Sequence, residues 1–110
     1  MIGGALRCRG FTAPLPLGSI ADVPIISYFF GIAIRMYYND HSPPHVHAEY
    51  QGHEAFVTVD GGEVIEGRLP LRARRLVREW CLEHRDELMA NWQRARAFEP
   101  LERIPGLDND

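Results

Sequence analysis

The chain has no lysine: all 12 of its basic residues are arginine. An arginine-only composition follows either from GC-rich coding or from a need for planar, bidentate contacts to phosphates and carboxylates. Cysteine is scarce too. Cys8 and Cys81 form no CxxC pair and offer neither disulfide nor metal-ligand spacing. No apolar run approaches the ~20 residues that cross a bilayer, and the N-terminus lacks the charged-then-apolar order of a secretory leader. A phosphate-cradling glycine loop, a nucleophile elbow and zinc-finger spacing are all missing, which argues against nucleotide hydrolysis and serine chemistry. With 110 residues, 45% apolar and 25% charged, one globular domain remains, expected to be soluble, cytoplasmic and bacterial.

The formal net charge of −3 argues against a surface that coats nucleic acid everywhere. Its distribution is uneven. Residues 1–66 hold three arginines against seven acids, whereas residues 67–110 hold nine against eight. A local basic face is compatible with both totals. Arg72, Arg74, Arg75, Arg78 and Arg85 cluster on one helical segment, a pattern shared by phosphate-binding helices and by ordinary solvated faces.

Residues 1–22 carry four glycines and two prolines without sustained periodicity, and read as a poorly ordered extension. A single domain is expected over 23–100. Ile32, Ile34, Met36 and Tyr38 alternate with Ala33, Arg35 and Tyr37, the period of a half-buried strand. A polar loop with Pro43-Pro44 follows, so the next strand begins near His45. Gln51-Gly52 predicts a tight turn, residues 54–60 a further strand, and Gly61-Gly62 a two-residue hairpin before a short last strand at 63–66. The period then becomes 3.6. Ala73, Leu76, Val77, Trp80, His84, Leu88, Ala95 and Phe98 share one stripe, and a bend near 83–86 would divide this long segment into two helices. The expected fold is α+β: a four- or five-stranded antiparallel meander with a long or bent C-terminal helical segment on one face. Residues 101–110 are expected as a loose tail.

Four of the five histidines, 41, 45, 47 and 53, fall within 13 residues. On a strand, His45, His47 and Glu49 share one face and Val46, Ala48 and Tyr50 the other, with Arg35 and Tyr37 on the histidine side of the neighbouring strand. A two-residue turn at Gln51-Gly52 places Glu49 opposite Glu54, His47 opposite Phe56 and His45 opposite Thr58. Facing carboxylates are tolerated at a wet hairpin end or held by a cation. Three chemistries suit the cluster. His45 and His47 can act as general acid and base on RNA, with Arg35 as phosphate clamp and His41 and Glu49 in support, because imidazole carries both protonation states near neutral pH. His41, His45 and His47 can instead hold zinc or another transition metal. Alternatively, the loop is a rigid turn, and its prolines and the surrounding aromatic surface dock a partner protein.

The block Asn39-Asp-His-Ser-Pro-Pro-His-Val-His-Ala48, the preceding Ile26 to Tyr38, then Gly67-Arg-Leu-Pro70 and the helix with Trp80 and Asn91-Trp92 resemble the family called domain of unknown function 4160, over roughly Pro24 to Pro100. The resemblance implies no established activity. It does imply a gene beside another small gene of unknown function, an arrangement like a toxin–antitoxin pair, and hence a small partner protein and an RNA-acting role. Members of that family begin near the position of Pro24. Val23 can be encoded by GTG, a start codon, so translation beginning there would account for the change in character. The intact mass of the natively expressed protein would then lack residues 1–22, and a species beginning at Met1 would exclude this start.

Overall fold

Period-two alternation becomes a five-stranded sheet, and the switch to period 3.6 becomes two helices. The computed structural model describes residues 24–38 and 40–108; the expected extension over 1–22 lies outside them. The strands are β1 (Ile25–Phe29), β2 (Ile32–Arg35), β3 (His45–Tyr50), β4 (His53–Thr58) and β5 (Val64–Gly67). They pair in sequence order, each antiparallel to the next. The helices are α1 (Leu71–Glu83) and α2 (Arg85–Arg96). His84 separates them at φ −113° and ψ 28°, so the long apolar stripe bends where expected.

Turn chemistry sets the register. Gln51 and Gly52 have φ of 46° and 83°, the double positive-φ turn that matches strand twist. Across it Glu49 faces Glu54, His47 faces Phe56 and His45 faces Thr58, as the turn length requires. The β4–β5 connection differs from expectation. Thr58 N–H bonds Glu63 O and Gly62 N–H bonds Thr58 O, so four residues, 59–62, make the turn instead of two. Val59 is the cause: it turns fully into the core, and its N–H donates to Pro44 O at 3.0 Å.

One face of the sheet, with Ile32, Ile34, Val46, Ala48, Ala55 and Val57, forms a single core with Ala73, Val77, Trp80, Leu88 and Trp92 of the helices. Phe29 and Trp80 meet with ring centroids 5.3 Å apart. Among the described residues, no helix is long and apolar enough to cross a membrane.

The C-terminal segment is not the expected loose tail. Ile104 is buried and its N–H donates to Ile26 O at 2.8 Å, which lays the segment along the edge of β1. Trp80 Nε1–H donates to Pro105 O at 2.8 Å. The fully buried Asn91 amide gives a hydrogen bond to Glu102 O and accepts one from Glu102 N–H. These bonds explain the packing, since without the segment both side chains would lose those partners, and buried polar groups left unpaired cost about 1–3 kcal/mol each. Ile104→Ala is expected to lower unfolding free energy by about 2–5 kcal/mol in a urea titration. A loose tail would give a change within about 0.5 kcal/mol.

Candidate functional site

The strand parity of β3 sends His45 and His47 to the same side, away from Val46 and Ala48. That side is not the open surface expected. His45 is 0% and His47 5% exposed. Tyr37 stacks on His47 at 4.1 Å, Phe56 packs against both imidazoles at 4.1 and 5.4 Å, and Trp92 reaches His45 at 5.5 Å. Parity determines which residues share a face; it does not say what covers them. The aromatic residues that close over the histidines come from three other parts of the chain.

The centre of the cluster is Asp40, which the sequence motif contained but which was not among the expected site residues. Its Oδ2 lies 3.1 Å from His45 Nε2 and 3.2 Å from His47 Nε2, and its Oδ1 lies 3.7 Å from His41 Nε2. Oδ1 also accepts the His41 backbone N–H at 2.8 Å. An acidic residue next to a histidine, in a loop stiffened by two prolines and returning to a His-x-His strand, was the available clue.

Hydrogen bonds define the tautomers. A backbone carbonyl only accepts, so His45 Nδ1–H donates to Pro43 O at 2.7 Å and His41 Nδ1–H donates to Ser42 O at 3.3 Å. Each ring in its neutral form then presents an Nε2 lone pair. His47 has the opposite arrangement: its Nε2–H donates to Asp40 Oδ2, and its buried Nδ1 makes no hydrogen bond among the described residues. His45 Nε2 is likewise buried and makes no hydrogen bond among the described residues, although a carboxylate oxygen is 3.1 Å away. A neutral His45 therefore leaves an unpaired Nε2 beside a carboxylate oxygen.

Electrostatics keep the carboxylate charged. Burial alone raises the Asp40 pKa, but the His41 backbone N–H, the His47 ring N–H and charge at His45 and His41 outweigh it and bring it below 3.8. Burial lowers His47 below 6.5, against the partial opposition of its bond to Asp40. One oxygen or nitrogen from each of Asp40, His41 and His45 lies within 4.8 Å of the others. The set can hold a metal ion, with His47 as the outer partner that fixes the carboxylate.

Arg35 and Glu49 occupy the neighbouring part of this face. Arg35 lies opposite His47 in register, and its Nε is 3.5 Å from Glu49 Oε1, so a side-chain cation meets one of the two facing glutamates. No described contact joins Glu49 to the imidazoles. His53 is exposed at the hairpin, while His84 packs on Trp80 at 5.6 Å and pairs with Glu87. Cys81 is buried, which pushes its thiol up to about 12 and leaves it unreactive.

The family model described as Domain of unknown function (DUF4160) matches residues 31–93, a span that contains every residue of this site. No curated protein and no solved structure matches the chain.

The depressed His47 pKa has a consequence for stability. Below about 6.5 the unfolded chain takes up a proton on His47 that the folded chain refuses, so folding weakens as the pH falls towards the folded-state value. Asp40 adds to the loss in the same direction at lower pH, as the pH drops below 3.8. In chelator, the melting temperature of the wild type is expected to fall between pH 7 and pH 5, and His47→Gln to show a shallower fall. Equal slopes would dissociate His47 from the pH response.

Proposed function

Because the chain belongs to the family described as Domain of unknown function (DUF4160), a name that assigns no activity, we propose its function from the geometry: it binds a first-row divalent transition metal through Asp40, His41 and His45. The observation that carries this reading is the buried Nε2 of His45, 3.1 Å from a carboxylate oxygen with no hydrogen bond between them. A shared cation gives both atoms a partner. Ligand bonds of 2.0–2.1 Å in a tetrahedron put neighbouring donors about 3.3 Å apart, and the Asp40–His45 separation of 3.1 Å already fits that edge.

The outer arrangement supports the same reading. Metal-bound histidines ordinarily give their second N–H to a carbonyl or carboxylate, which fixes tautomer and ring plane. His41 and His45 do so through Ser42 and Pro43, and the Asp40 carboxylate is itself held by His47. Two imidazoles and one carboxylate favour zinc, iron, cobalt or nickel over magnesium or calcium. Three protein donors would leave a position for water or a substrate, and the 69% exposure of His41 puts that position at the surface. Direct general acid–base work on RNA needs both His45 and His47 at the substrate, whereas both are covered.

Protein purified without a histidine tag is expected to bind zinc or cobalt at one ion per chain by calorimetry. Asp40→Asn and His45→Gln should abolish stoichiometric binding, and His47→Gln should weaken it by about 10–100-fold. Saturation at 100 times the dissociation constant should add about 2.7 kcal/mol to stability. Protein that takes up no zinc, cobalt or nickel, and whose melting temperature none of them moves, would overturn the reading.

A further inference from the structure

A second charged feature lies between the β4–β5 turn and the exposed side of α1. Gly62, Glu63, Val64, Leu71, Arg74, Arg75 and Arg78 line a cleft of about 430 Å³ there. Its floor is a close backbone contact. Gly62 has φ +66°, and a Cβ added to it would lie 2.9 Å from Arg78 Cα and 3.1 Å from Arg78 O. A glycine in this position lets the turn rest on the helix backbone, and the arginine side chains rise as the opposite wall.

The three guanidiniums are exposed, and none makes an ion pair among the described residues; the arginines that do are 35, 85 and 94. Arg74 and Arg78 are one turn apart, about 6 Å along the axis, and Arg75 and Arg78 stand at i,i+3. Like charges at these spacings destabilise a helix. Among the described residues Glu63 is the one carboxylate in the lining, and it compensates only part of that charge. Arg68 and Arg72, also exposed and without ion pairs among the described residues, lie close by in the sequence and add to the positive charge around α1.

We propose that this cleft binds the phosphate backbone of a nucleic-acid strand. Guanidinium forks match phosphate oxygens bidentately, and a row of them matches a repeating anion. Among the described residues no aromatic ring lines the cleft, so base stacking has no part in the proposed recognition, which is independent of sequence. The site uses none of the histidine cluster and stands whether or not a metal binds there.

Fluorescence anisotropy with a labelled oligouridylate of about 20 nucleotides tests this. Three phosphate contacts on a single strand predict that log affinity falls with log salt at a slope of about −2. Arg74→Gln/Arg78→Gln should weaken binding at least about tenfold and reduce the slope by about 1.4. The charge-matched pair Arg96→Gln/Arg103→Gln should change affinity by less than about twofold, and Glu63→Gln should tighten it about threefold. Equal loss in both arginine pairs, or no binding at about 50 mM salt, would overturn the site. Competition by tripolyphosphate as strong as by the oligonucleotide would overturn the strand in favour of a small anion. Equal competition by polyglutamate would replace nucleic acid with an acidic protein. If circular dichroism shows the double variant unfolded, Glu63→Gln decides: tighter binding supports the cleft, and unchanged binding overturns it.

Discussion

Three imidazoles around one partly buried carboxylate are the interaction on which the rest of this face depends. An ionised group away from water is stable only if neighbours replace its hydration. Asp40 has the His41 backbone N–H, the His47 ring N–H and two further imidazoles within 3.7 Å. Each of these positions is fixed by something else. His47 is placed by the β2–β3–β4 register, His45 by its bond to Pro43, and Phe56 and Trp92 close the space around both rings. With donors held this way, little conformational freedom remains to be lost when a ligand arrives.

Local rules account for most of the fold. Alternation identified the strands, a two-residue turn at Gln51-Gly52 set the β3–β4 pairing, and the apolar stripe of 73–98 located the helices and their bend. What local rules could not reach was set at long range. The burial of His45 and His47 depends on Tyr37, Phe56 and Trp92 closing over them. The order of residues 101–108 depends on Trp80 and Asn91, whose polar atoms need partners once they are inside. The long β4–β5 turn depends on Val59 filling the core and on its bond to Pro44. In all three cases, a group that looks peripheral along the chain satisfies or covers one that is distant.

The candidate site shows the same limit. His41, His45 and His47 were legible because strand period and proximity bring them together, and the structure does unite them. Glu49 shares their face yet pairs with Arg35, because opposite charges on adjacent strands attract. Asp40 sits in an irregular loop, where no periodicity indicates direction. Its position follows from hydrogen bonds to residues one and seven places on and from the approach of the imidazole five places on, a pattern visible only in three dimensions.

Histidine cluster and arginine cleft occupy opposite sides of one connection. Pro43 O orients His45, and the next carbonyl, Pro44 O, accepts the N–H of Val59 at the start of the turn that ends on Arg78. Ordering the loop around Asp40 would therefore fix one hydrogen bond of the turn that forms the cleft wall. A bond of this kind contributes about 1 kcal/mol net, which limits communication along this path to about fivefold in affinity. The core under the turn is packed in either case, with Val59 and Val77 fully buried. The two proposed sites are thus neighbours on one packed frame, built from separate residues, with proximity rather than conformational change as what they share.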